Sequence, residues 1–147
     1  MSNNSHSVKL AFVCVQNAGR SQMATAFAEI ECNRRGVSER VDIQTGGTHP
    51  AENVHPAVVE TMNTIGVDLT DRKPQLIEHE TLRDCDLVVT MGCSTLELDD
   101  SVETREWSIP DPEGKSPDEV TEIREEIRRQ VRSLFDEIAD NLSEQDT

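Results

Sequence analysis

Segments with the signature of short strands alternate along this chain with segments of helical periodicity, and that alternation limits the fold more than any other feature. The strand-like stretches are residues 8–13, 41–45, 87–91 and 103–109. The first and third are apolar enough to be buried on both faces, as the inner strands of a parallel sheet are. Spacing predicts helices over residues 21–35, 56–65, 74–82 and 117–142. In the first of these, Met23, Ala24, Phe27 and Ile30 share a face, and Gly36 stops the helix. The last has the clearest start: Ser116 as cap, Pro117 at the first helical position and Glu119 three residues after the cap. Val120, Ile123, Ile127, Val131, Leu134, Phe135 and Ile138 then form one apolar stripe. The expected fold is α/β, a single-domain three-layer arrangement of a four-stranded parallel sheet with helices on both faces. The 147 residues suit one domain, expected over residues 7–142, with residues 1–6 and 143–147 as flexible termini.

Where the first strand meets the first helix, the chain reads Cys14-Val15-Gln16-Asn17-Ala18-Gly19-Arg20-Ser21. Five residues between a cysteine and an arginine can wrap their amide groups around a tetrahedral anion, and the helix adds its positive end. In such a setting a thiol ionises more readily than its ordinary pKa of about 8.5 allows. Parallel α/β folds bind ligands beyond the carboxyl ends of their strands, where Cys14 falls. One short segment thus supplies a nucleophile and the seat for an oxyanion, with Val15, Gln16, Asn17, Ala18, Gly19, Arg20 and Ser21 as its lining.

Charge narrows the partners. The net charge is −15, from 29 acidic and 14 basic residues, and only Lys9, Lys73 and Lys115 among the latter are lysines. A field of that sign repels nucleic acids and anionic membranes, so neither is expected as a partner. Acid-rich, lysine-poor composition suits a salt-loaded cytoplasm, where screening over about 3 Å at 1 M mutes self-repulsion. No apolar run approaches the roughly 20 residues that span a bilayer, and the polar start Met1–Ser7 carries no secretion pattern. The expected location is the cytoplasm. Four cysteines (Cys14, Cys32, Cys85, Cys93) then do not form a disulfide framework. Their spacing with His6, His49, His55 and His79 completes no metal cluster, so neither metal nor cofactor is expected.

The segment FVCVQNAGRSQMA, Phe12 to Ala24, resembles the phosphate loop of the low-molecular-weight tyrosine phosphatases and of the arsenate reductases built on the same fold. The resemblance extends over Thr45-Gly46-Gly47-Thr48, the segment from Asp86 to Met91 and the late Asp111-Pro112 pair, which together span essentially the whole chain. It implies Cys14 as nucleophile, Arg20 as a fork on two substrate oxygens, and Asp111 as proton donor to the leaving oxygen, stiffened by Pro112. It also implies that Ser21 donates a hydrogen bond to the Cys14 thiolate, and that Asn17 braces the loop in a left-handed geometry that asparagine tolerates.

Within the superfamily, three features resemble the reductase branch. Gln22 stands where the phosphatases usually carry proline. Glu113-Gly114 follow Asp111-Pro112 where phosphatases place aromatic residues, and this chain has no Tyr, three Phe and one Trp. Cys93 lies two residues beyond the third strand, on the rim that holds Cys14; Cys32 and Cys85 are placed as buried structural thiols. Two departures stand out. Thioredoxin-coupled reductases carry two further cysteines after this strand, whereas residues 94–100 contain none. Thr25 also replaces an acidic residue common in the reductases, which weakens any cation site beside the loop. The expected activity is reduction of arsenate through a Cys14 adduct, resolved by Cys93 or an external thiol, with a thioredoxin-like or low-molecular-weight thiol as reductant. The alternative is hydrolysis of phosphotyrosine or other phosphomonoesters through a Cys14 phosphocysteine.

Overall fold

The computed structural model describes residues 8–92 and 102–145. The elements run β1 (Val8–Cys14), α1 (Arg20–Arg35), β2 (Val41–Gly47), α2 (Pro56–Asn63), α3 (His79–Arg83), β3 (Leu87–Met91), β4 (Glu103–Glu106) and α4 (Pro117–Gln145). All four strands are parallel, in the order β2-β1-β3-β4. Cys14 ends the central strand in register with Gly47 on one side and Met91 on the other. The chain leaves β1 for β2 and returns past β1 to β3, so the strand order reverses beside Cys14. Such a switch point opens a crevice at the carboxyl edge.

Side chains alternate across the sheet. Leu10, Phe12, Cys14, Val89 and Met91 join the larger core with α1, α2 and α4, while Ala11, Val13 and Val88 face Leu82, Cys85 and Val102. The expected stripe of α4, from Val120 to Ile138, is buried throughout. Its start forms the anticipated reciprocal cap: Ser116 Oγ accepts from the Glu119 amide at 3.3 Å, and Glu119 Oε1 accepts from the Ser116 amide at 3.1 Å. Gly36 closes α1 at φ 72°, with Val37 N–H donating to Cys32 O at 2.9 Å. Among the described residues, no helix is long and apolar enough to cross a membrane.

Three expected elements change. Of residues 74–82, only His79 onward is helical. Gln75 and Ile77 exchange backbone hydrogen bonds with Gly47, which extends residues 75–77 along the outer edge of β2. These long-range bonds override a weak local helix preference. The second strand runs beyond the expected 41–45 to Gly46 and Gly47, which serve close packing: a Cβ on Gly46 would lie 2.4 Å from Ile77 Cβ, and one on Gly47 would lie 2.5 Å from Val15 O. The fourth strand stops at Glu106 because Ile109 N–H turns back onto Trp107 O and Pro110 has no amide to continue the ladder.

Ile30 was expected inside and is 40% exposed; its neighbour Glu31 is buried instead. The Glu31 carboxylate accepts from Arg34 Nη2 at 2.7 Å and Arg35 Nε at 2.9 Å, while Arg35 also reaches Asp136 on α4 at 2.7 Å. Burial pushes the Glu31 carboxyl up, but the two arginines outweigh it and hold it below the usual 4.5. A depressed folded-state pKa stabilises above the unfolded value and loses its effect as pH falls through the folded value. Glu31→Gln should therefore cost about 2 kcal/mol at pH 7, and the gap to wild type should narrow below about pH 4. Urea unfolding across that range tests this; a pH-independent gap would contradict it.

Candidate active site

The loop from Cys14 to Arg20 is fixed from outside by its carbonyl groups. Thr48, His49, Ala51 and His55 donate their amides to Cys14 O, Val15 O, Gln16 O and Ala18 O at 2.8–3.3 Å. With those carbonyls drawn outward, the amides from Gln16 to Gly19 donate to no backbone carbonyl among the described residues. α1 begins at once at Arg20, capped by Gly19 without a side-chain bond and with no acidic residue in its first turn. Amides without backbone acceptors beside a helix N-terminus are the groups from which an anion cradle can be built.

Asn17 is the brace. It is fully buried at φ 52°, the one non-glycine with positive φ among the described residues. Its Oδ1 accepts from the Gln75 backbone amide at 3.0 Å; that donor is unambiguous and fixes which way the side chain faces. Nδ2 must then donate, and it does so to Ser21 Oγ at 2.7 Å and Thr45 Oγ1 at 3.0 Å. Ser21 Oγ lies 2.9 Å from Cys14 Sγ. Because Asn17 occupies a Ser21 lone pair, the single hydroxyl proton is available for the sulfur. Gln22 Nε2 completes the cluster by donating to Asn17 O and Oδ1. Gln22 Oε1 has no partner among the described residues. Thr25 donates to Ser21 O at 2.7 Å, so this face of the loop is held by neutral groups.

Asn17→Ala should lose about 2–4 kcal/mol of stability, from the left-handed backbone and the stranded partners. Asn17→Gly removes only the backbone penalty and should recover about 1 kcal/mol of that. Denaturant unfolding of the pair tests this; equal stabilities would show that the left-handed backbone carries no cost here.

Arg20 Nη1 donates to Ile109 O at 2.9 Å, and Nη2 lies 3.8 Å from Asp111 Oδ2. Gly92, at φ 82°, lets the guanidinium pass: a Cβ there would come within 2.7 Å of Arg20 Nη1. Asp111 is exposed, with Oδ1 accepting from the Glu113 amide at 3.0 Å and Pro112 buried beside it. Cys14, Val15, Gln16, Ala18, Gly19, Arg20, His55, Gly92 and Asp111 line one cleft of about 260 Å³. A larger cleft of about 550 Å³ beside Pro110 and α4 is rimmed by Glu119, Glu122, Glu125 and Glu126 and is lined by no cysteine. Cys93 lies outside the described residues, but its covalent neighbour Gly92 lines the cleft. Cys32 and Cys85 are buried free thiols, pushed up to about 11 chiefly by burial.

His55 and Gly92 join the cleft without a motif in the sequence to announce them. His55 precedes the Pro56 helix start, and its only signal was that position; the fold sets it against Gly19 and beside Asp111. Gly92 owes its place to the end of β3. Trp107, the aromatic nearest in sequence to Asp111, packs in the core 5.9 Å from the Phe12 ring.

A buried cysteine in a carbonyl-anchored amide loop, with an arginine fork at the following helix, defines a Cys-x5-Arg oxyanion-binding protein on a parallel α/β sheet. The chain belongs to the low molecular weight phosphotyrosine protein phosphatase family, whose model matches residues 9–144. It is 55% identical over 130 residues to the Halobacterium salinarum protein named "Putative arsenate reductase", covering 88% of this chain and 92% of that one. "Arsenate reductase 2" of Staphylococcus saprophyticus subsp. saprophyticus is 30% identical over 130 residues, 85% of this chain and 94% of its own. The solved thioredoxin-dependent arsenate reductase of Corynebacterium glutamicum superposes with a TM-score of 0.76 at 31% identity. The match covers 92% of this chain and 63% of that longer one.

Proposed function

We propose that this chain is an enzyme that reduces arsenate to arsenite. The observation that carries the reading is the burial of every benzene-type and indole ring: Phe12, Phe27, Phe135 and Trp107 are all in the core, and the chain has no tyrosine. No Phe, Tyr or Trp side chain is left to wall a slot for an aryl phosphate; the His55 imidazole is the one ring among the residues lining the cleft. A polar cradle without that wall suits a small inorganic oxyanion, and relatives named as arsenate reductases support the same choice.

In this reading the Cys14 thiolate, held by Ser21, attacks arsenic(V). An S–As bond forms and an As–O bond breaks, with Arg20 and the loop amides stabilising the charge and Asp111 supplying the proton that lets the oxygen leave as water. A second thiolate then attacks Cys14 Sγ. The S–As electron pair stays on arsenic, which departs as arsenic(III), and the two thiols end as a disulfide. Cys93 or an external thiol provides that second sulfur, and a thioredoxin-like or low-molecular-weight thiol restores the reduced state. Hydrolysis of phosphomonoesters, in which water attacks a Cys14 phosphocysteine, is the second reading and is favoured by the family's own description. The acidic excess and scarcity of lysine support a working place in a salt-rich cytoplasm, so turnover should rise with KCl toward about 1 M.

The deciding experiment assays wild type and Cys93→Ser on arsenate, with thioredoxin or a small thiol as reductant, and on an aryl phosphate. Arsenate turnover far above aryl-phosphate hydrolysis is expected, with Cys93→Ser losing at least tenfold with thioredoxin. Aryl-phosphate hydrolysis without arsenate turnover would select the second reading. Full arsenate turnover by Cys93→Ser with every reductant would remove the resolving role from that cysteine.

A further inference from the structure

The mouth of the cleft gathers one imidazole and two carboxylates from two separate parts of the chain. His55 stands at the start of α2, and Asp111 and Glu113 flank the buried Pro112. One ligand-type atom from each lies within 4.8 Å of the other two. We propose that His55, Asp111 and Glu113 form a site for a divalent transition-metal ion, and that its occupation withdraws the Asp111 carboxylate from proton transfer. The second half rests on the role of Asp111 proposed above.

The donor set argues for the class of ion. An imidazole favours zinc, cobalt or nickel over magnesium and calcium, which prefer all-oxygen shells. Metal–ligand bonds of about 2.0–2.2 Å place neighbouring donors roughly 3–3.5 Å apart, so the trio needs to close by about 2 Å at most. Asp111 and Glu113 are exposed and can rotate inward at little cost. His55 is the fixed member: its amide donates to Ala18 O at 2.9 Å and its ring lies against Gly19. Arg20, 3.8 Å from Asp111, opposes a cation. Two carboxylates against one guanidinium, in a chain of net charge −15, leave the mouth negative.

Cobalt(II) titrated into Cys14→Ser, followed by calorimetry and visible absorption, tests the site without the competing active-site thiolate. One ion per chain is expected, with d–d bands and no thiolate charge-transfer band, and at least tenfold weaker binding when Glu113→Gln or His55→Ala is added. Absent binding, a thiolate band, or unchanged affinity in either variant would overturn the site. In the wild type, cobalt(II) should slow arsenate turnover and a chelator should restore it. Glu113→Gln should turn over normally without metal and resist at least tenfold more cobalt(II). Inhibition undiminished in that variant would overturn the withdrawal of Asp111. Wild-type turnover by Asp111→Asn would overturn its proton-transfer role, and the binding titration would still decide the site.

Discussion

Cys14→Ser should abolish arsenate turnover and aryl-phosphate hydrolysis together, each by roughly 10⁴-fold or more, while leaving the fold intact. Cys14 sits at the carboxyl end of β1, 2.9 Å from Ser21 Oγ, and in the proposed mechanism both reactions begin with its sulfur. A serine at this position keeps the hydrogen bond and nearly the volume, so stability should change by less than about 1 kcal/mol. What it loses is the sulfur: a hydroxyl oxygen is a far weaker nucleophile, and no general base among the cleft-lining residues contacts the atom to compensate. Steady-state assays on both substrates, beside a denaturant curve, make the measurement. Retention of either activity would place the chemistry on another residue.

Arg20→Lys should lower turnover by roughly 10²–10³-fold, about 3–4 kcal/mol of transition-state stabilisation. The guanidinium is planar, presents paired donors and is already aimed by Ile109 O, Asp111 and the surface of Gly92. Lysine keeps the charge but not the fork that matches two equatorial oxygens. The loss should fall mainly on kcat, because charge attraction for the incoming oxyanion survives while the paired contact in the transition state does not. Gly92→Ala provides a check that leaves the arginine in place. Its Cβ would meet the guanidinium at 2.7–2.9 Å and shift it, so activity should fall in the same direction by a smaller factor. An Arg20→Lys enzyme within threefold of wild type would contradict the fork.

The sequence was most informative where local rules and tertiary packing agree. The Ser116-Pro117-x-Glu119 start of α4 formed its reciprocal cap because every partner lies within four residues. The apolar runs of β1 and β3 became buried inner strands because only two-sided burial accommodates them. Legibility ended where distant partners decide. Ile30 and Glu31 are one helical step apart, and Arg34, Arg35 and the α4 carboxylate at Asp136 settled which of them is buried. Residues 75–77 became an edge extension because Gly47 offered backbone groups that no local pattern reveals.

The same division runs through the site. Sequence alone placed the cysteine, the arginine and the loop between them side by side, because a loop of five residues is a local object: its amides, its cysteine and its helix start are covalent neighbours. Tertiary structure decided what surrounds that object. It drew the loop carbonyls outward with amides from residues 48–55, seated Asn17 through Gln75, brought Asp111 to Arg20, and added His55 and Gly92 to the mouth. It also removed Trp107 from the mouth by packing it on Phe12, since apolar rings gain more from the core than from a polar rim.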